Sequence, residues 1–258
     1  DSECRFRPSR FDPMLNNSSC DSASQGRRSA AVGGGEFEIS SFGGLRVQIG
    51  AETEFNVATA GTIARINAPI IGNGNLTKLG AGTLQLGSAS TTFGGIISIE
   101  GGTLSGLNGG VFGTANMFLH NNAILRTSGT LTNATGTGFG EAGTAGSGQI
   151  MAPTGTTLTL AGNFGHRSGG VLTLGNSVDN GTIAMAMTAA DVSGPGMFRI
   201  DSTTIRFENA YSAGAVFYGA NLTATELVKY FPDSCHPQVT AALAKEPYRE
   251  FNILHAVM

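Results

Sequence analysis

Carboxylates are the groups in this chain best suited to cutting a glycosidic bond. Between Asn56 and Phe198 the only ones are Glu100, Glu141, Asp179 and Asp191. Acid–base chemistry on a glycan needs two carboxyl groups facing one bond, so spacing decides their value. Glu100 and Glu141 are further apart than one repeat unit, with an irregular segment between them. Asp179 and Asp191 are spaced to fall on different faces of one turn. Asp191 and Asp201, with Arg199 nearby, form the closest approach to a working pair and are the first site to test. The expectation is that these acids are isolated, solvated turn residues and that no residue is catalytic.

Other reactive types are equally sparse. Gly165-His166-Arg167-Ser168-Gly169-Gly170 is superficially similar to the G-H-x-x-S segment of polygalacturonases. The paired aspartates and the R-x-K of that family do not surround it, so His166 is expected at a polar corner. His120, before Asn121-Asn122, reads as a strand end. His236 beside Cys235, with His255 further along, is too little to hold a metal. The glycine-rich run Gly138–Gly148 lacks the G-K-[ST] of a phosphate loop. Cys4, Cys20 and Cys235 lie outside the central region and do not form a disulfide framework; a Cys4–Cys20 bridge and unpaired thiols both remain open. No catalytic, cofactor-binding or metal-ligating residue is assigned, and no cofactor is expected.

The elements that would have to position any chemistry are short strands. In the stretch from Gly72 to Leu104, Leu84 and Leu86 alternate with Thr83 and Gln85. Ile97 and Ile99 alternate in the same way with Ser98 and Glu100. A period of two marks a strand with one buried face. Gly80, Gly82 and Gly87 bracket the first of these strands, and Gly94, Gly95, Gly101 and Gly102 the second, as sharp corners require. The run Leu76-Thr77-Lys78-Leu79-Gly80-Ala81-Gly82-Thr83-Leu84-Gln85-Leu86, then Phe93-Gly94-Gly95, then Ile99-Glu100-Gly101-Gly102-Thr103-Leu104, resembles the autotransporter-associated β-strand repeat. The likeness is clearest at residues 72–104.

Composition agrees with a folded, repetitive middle. Glycine accounts for 39 of 258 residues, and all but Gly26 fall between Gly33 and Gly219. Charged residues make up 13% of the chain, about half the usual share. The surface must therefore be covered largely by Thr, Ser, Asn and Gly. A formal net charge of −3 with no long basic run offers no footprint for nucleic acid. No apolar run is long enough for a membrane-spanning helix, and no n-region followed by an apolar h-region marks a signal peptide. Arg27-Arg28 is followed by Gly33-Gly34-Gly35 where an export signal needs apolar residues.

The chain divides into residues 1–35 as a disordered leader, 36–215 as a β-helix repeat region and 216–258 as a helical tail or cap. Beyond the repeat, strands are expected at Met117/Leu119, Ala123/Leu125, Leu158/Leu160, Leu172/Leu174, Ile183/Met185, Phe198/Ile200 and Ile205/Phe207. Such spacings also suit a hairpin sandwich. Single-glycine corners and units of about 20–35 residues favour a solenoid. In the tail, Thr223-Ala224-Thr225-Glu226 reads as a capping box opening a short helix, and Pro237–Lys245 as a second.

The resemblance implies an all-β fold, a right-handed parallel β-helix, here with a short mixed α/β tail. It implies a non-enzymatic, adhesin-like segment of a secreted bacterial passenger at the Gram-negative cell surface, with host or neighbouring-cell surface molecules as partners. A polysaccharide-active β-helix enzyme, lyase or hydrolase, is the alternative, and a β-sandwich binding module the third reading. In the resembled family an outer-membrane barrel follows the passenger. No series of amphipathic ten-residue strands follows residue 219, so that barrel is expected on a downstream segment.

Overall fold

Ala64, Leu84, Leu104, Leu125, Ile150, Leu174 and Ile200 stand side by side, each on the next strand of one parallel sheet. None is more than 3% exposed. This ladder, seven strands long, runs through the core of a parallel β-solenoid. The structure is a computed structural model. It describes residues 28–32, 37–40, 46–88, 92–133, 135–137, 147–166, 171–186, 192–193, 197–208, 216–219 and 250–252 of the chain.

Three faces build each full turn. The first sheet runs through Arg28–Val32, Thr53–Val57, Leu76–Leu79, Ile96–Ile99, Asn116–Leu119, Thr135–Thr137, Phe164–His166 and Val192–Ser193. The second runs through Phe37–Ile39, Ile63–Ile66, Thr83–Leu86, Thr103–Gly106, Ala123–Arg126, Ser147–Met151, Val171–Leu174, Met197–Ile200 and Val216–Gly219. A third, in the later turns, joins Gly129–Leu131, Thr157–Leu160, Thr182–Met185 and Thr204–Phe207. In the early turns a two-stranded pairing of Val47–Gln48 with Ile70–Ile71 closes the section instead.

The alternation found in the sequence is what buries the ladders. Leu76, Ile97 and Met117 stack on the first sheet, and Leu158, Ile183 and Ile205 on the third. Each buried aliphatic contributes about 1.5–3 kcal/mol, and a row of them is continuous because parallel neighbours lie only about 4.8 Å apart. The expected strand residues Met117, Leu119, Ala123, Leu125, Leu158, Leu160, Leu172, Leu174, Ile183, Met185 and Phe198 are all essentially buried.

Corners are set by backbone geometry. Gly80 adopts φ 79, and a Cβ there would collide with the Val57 carbonyl of the preceding coil. Two coils further along, the first-to-second-sheet corner is made without glycine. Asn121 and Asn122 take left-handed φ values of 51 and 60, which asparagine tolerates better than most residues. Asn108 caps a short 3-10 turn, Gly109–Phe112, by accepting from the Gly110 amide at 3.0 Å. Buried Asn133 donates to the carbonyls of Gly113 and Ala115.

Both ends of the rod extend past the boundaries expected from sequence. Arg28–Val32, inside the stretch assigned to the leader, pairs in parallel with Thr53–Val57. Val216–Gly219, assigned to the tail, continues the second sheet beside Met197–Ile200. Glu250–Asn252 then pairs with it antiparallel. The two helical candidates of the tail, the rest of the leader and all three cysteines lie outside the described residues.

Candidate functional surface

Glu100 leaves the first sheet just after Ile99, at the corner leading to the second. Its Oε1 accepts a 2.6 Å hydrogen bond from the Ser98 hydroxyl and lies 3.7 Å from His120 Nε2 on the next coil. Hydroxyl, carboxylate and imidazole therefore meet at one corner, with the carboxylate in the middle. A nucleophilic serine needs the imidazole in the middle, taking the hydroxyl proton. In this order the carboxylate instead accepts from the hydroxyl and stands beside the histidine. His120 directly follows strand Asn116–Leu119, at the strand end expected for it.

Asp179 and Asp201 sit at a different corner, where the second sheet passes to the third. Asp179 is engaged by Arg126: the guanidinium donates to both carboxylate oxygens at 2.8–3.0 Å. The loop carrying it is further tied by Asn176, whose Oδ1 accepts from the amides of Val178 and Asp179. Thr154 Oγ1 donates to the Val178 carbonyl at 2.6 Å. Asp201 accepts from the neighbouring Ser202 hydroxyl at 3.0 Å. Among the described residues, Glu100 and Asp179 thus stand at separate corners and face no common bond. Glu141 and Asp191 lie outside the described residues, as do Arg167 and Ser168. His166 ends strand Phe164–His166, its backbone paired with Thr137. Among the described residues no three His, Cys, Asp or Glu side chains gather.

Lys78 is the charged group that sequence reasoning passed over. It occupies an inward position of strand Leu76–Leu79, between Phe55 and Ile99 in the ladder, and is 0% exposed. Its ammonium donates to the carbonyls of Leu79, Gly80 and Gly101 at 2.8–3.0 Å. The first two belong to its own corner and the third to the next coil. Burial draws its pKa down from 10.5 to about 8, because desolvation disfavours the charged form. The signal was available: Leu76 and Lys78 are two apart on one strand, so they share a face.

The outward faces are mostly small and uncharged. On the second sheet Thr83 and Thr103 stack, and on the third Thr157, Thr182 and Thr204. Arg65 donates to Gln85 on the next coil at 3.2 Å. Near the start of the rod, hydrogen bonds from Ser40 and Asn67 hold the Glu38 carboxyl below its ordinary pKa. Exposed large apolar side chains among the described residues are Ile96, Leu107 and Val178. Together these describe a rod whose outer faces, among the described residues, are largely neutral and hydroxyl-bearing.

Comparison with known proteins adds one relative. Over 178 residues the chain is 32% identical to the Adhesin BmaC autotransporter of Brucella suis biovar 1 (strain 1330). The match takes in 67% of this chain and 5% of that relative, so the chain spans a small part of its length. No family model matches the chain, and no solved structure matches it. The adhesin likeness, the strand repeat at residues 72–104 and the parallel β-solenoid together fit an autotransporter passenger.

Proposed function

We propose that this chain is an adhesin-like segment of a secreted passenger, displayed at the bacterial surface, with no catalysis of its own. The observation that carries this reading is the likeness to an autotransporter adhesin across two thirds of a chain that folds as a rod. A solenoid suits the task physically. Its core is a row of stacked ladders, so length is added coil by coil without a larger core. Its Thr-rich outer faces offer hydroxyls to surface molecules of a host or neighbouring cell. An outer-membrane barrel belonging to the same precursor would provide the route out. The separation of Glu100 from Asp179, and the engagement of Asp179 by Arg126, support a non-enzymatic role.

The test is binding. Purified chain, fluorescently labelled, is applied to epithelial monolayers and to lawns of unrelated bacteria, with the misfolded variant Leu84→Asp as control. Saturable binding by the folded chain alone is the expected result. Equal, non-saturating signal from both proteins would reduce the rod to a spacer.

A further inference from the structure

Three Asn-Gly pairs occur in the chain: Asn73-Gly74, Asn108-Gly109 and Asn180-Gly181. We propose that they are latent sites of spontaneous backbone modification, kept silent by the stacking of the coils. The reaction is imide formation. The main-chain nitrogen of the glycine loses its proton and attacks Cγ of the preceding asparagine. The new N–Cγ bond forms as the Cγ–Nδ2 bond breaks, and ammonia leaves. Water then opens the ring at either carbonyl, giving aspartate or its β-linked isomer, with no change of oxidation state. Glycine in second place makes the attack easiest because no side chain crowds the nitrogen.

In all three pairs the asparagine is exposed and the glycine nitrogen is engaged; Asn108 Oδ1 also accepts from the Gly110 amide and Asn180 Oδ1 from the Thr154 hydroxyl. The side chains of Asn73, Asn108 and Asn180 are exposed. Each glycine amide donates to a neighbouring coil: Gly74 to Ile49 O at 3.0 Å, Gly109 to Ser128 O at 2.8 Å and Gly181 to Ala152 O at 3.1 Å. The same close approach explains why glycine is there. A Cβ at Gly74, Gly109 or Gly181 would run into the backbone of Ala51, Thr130 or Pro153 respectively. Coil packing therefore demands the residue that creates the hazard, and the hydrogen bond made by that packing removes it. Attack has to wait for local opening, as amide hydrogen exchange does. The β-linked product would add a backbone atom at a corner and break the register of the coils on either side.

The full chain is incubated at mildly alkaline pH, folded and in guanidinium chloride, and followed by peptide mapping with isoaspartate-specific enzymatic methylation. Conversion at all three asparagines should be roughly tenfold or more slower in the folded protein, since each requires an opening that costs free energy. Folded and unfolded rates within about twofold at any of the three would overturn the proposal. A local arm uses Arg126→Met, with Asp179→Ser as its companion, to loosen the loop that carries Asn180. Conversion at Asn180 should then accelerate several-fold while Asn73 and Asn108 keep their rates. No acceleration at Asn180 in either variant, or equal acceleration at all three sites, would also overturn it.

Discussion

Arg126 holds both carboxylate oxygens of Asp179 although 53 residues separate them in sequence. Between them lies the coil that carries Met151, which pairs directly with Arg126 and is 2% exposed. The clamp therefore folds a corner loop back over one turn of the rod. Its arginine is 40% exposed and its aspartate 14%, so solvent screens it only in part. Asp179→Asn and Arg126→Met should each cost about 1 kcal/mol, near the upper end for an ion pair at a surface. In a double-mutant cycle by chemical denaturation, the two losses should be less than additive and should shrink at high salt.

The pH dependence of stability should carry the mark of Lys78. Its folded pKa is about 8 against 10.5 for an ordinary lysine. Below pH 8 the side chain is protonated in both states, and above 10.5 it is neutral in both. Between those values the unfolded chain binds more protons, so unfolding free energy rises with pH. The gain, up to about 3 kcal/mol, is complete above 10.5 and lost as pH falls through 8. Denaturant titrations of wild type and Lys78→Met across this range should differ by that slope. A slope retained by the variant would assign it to another group.

Facing on the second sheet can be checked at two adjacent residues. Leu84 is 0% exposed between Ala64 and Leu104, whereas Thr83 points outward beside Thr103. Leu84→Asp should cost about 3 kcal/mol or more by burying an unpaired carboxylate. Thr83→Asp should cost less than about 1 kcal/mol. Thermal unfolding that shows equal losses would contradict the assigned register.

At the corner made by asparagines, Asn122 has φ 60. Asn122→Gly should leave stability unchanged or raise it slightly, because glycine adopts this conformation without strain. Asn122→Val should lower it by about 1–2 kcal/mol. Calorimetry on the two variants reads the sign directly.

Pectin, polygalacturonate and chitin should release no products on incubation with the purified chain. Glu100 bonds to Ser98, Asp179 to Arg126 and Asp201 to Ser202. Product release that disappears in Asp191→Ala or Asp201→Ala would install the polysaccharide-active alternative.

Much of this architecture was legible because its core is aliphatic and strictly alternating. Leu84, Leu86, Ile97 and Ile99 announce both their strands and their inward faces. Among the strands that escaped notice are Thr135–Thr137, Phe164–His166 and Val192–Ser193, whose residues carry no such pattern. Without them the spacings of later strands looked irregular. Leu158, Ile183 and Ile205 belong to the third sheet, and Leu172 and Phe198 to the second. Those strands alternate between two faces, and the first-sheet strands between them had not been recognised. The Arg126–Asp179 contact was hidden for a different reason: it depends on how far a loop reaches across coils, which local periodicity does not encode. Lys78 was hidden by its type, since a lysine in a strand is read as outward until its parity with Leu76 is noticed.

Corner length is free to vary in this rod while the ladders stay fixed. Three residues, 80–82, join a first-sheet strand to a second-sheet strand in one coil, whereas nine residues separate Thr137 from Ser147 two coils after Glu100. Even so, Thr135–Thr137 pairs in parallel with Asn116–Leu119, and Ser147–Met151 with Ala123–Arg126. Sequence can thus be gained or lost at that edge without shifting a single core contact, because each strand takes its register from its neighbours and not from the length of the connection. Such an edge separates change at the surface from folding: a corner can lengthen while packing between coils holds the interior in register.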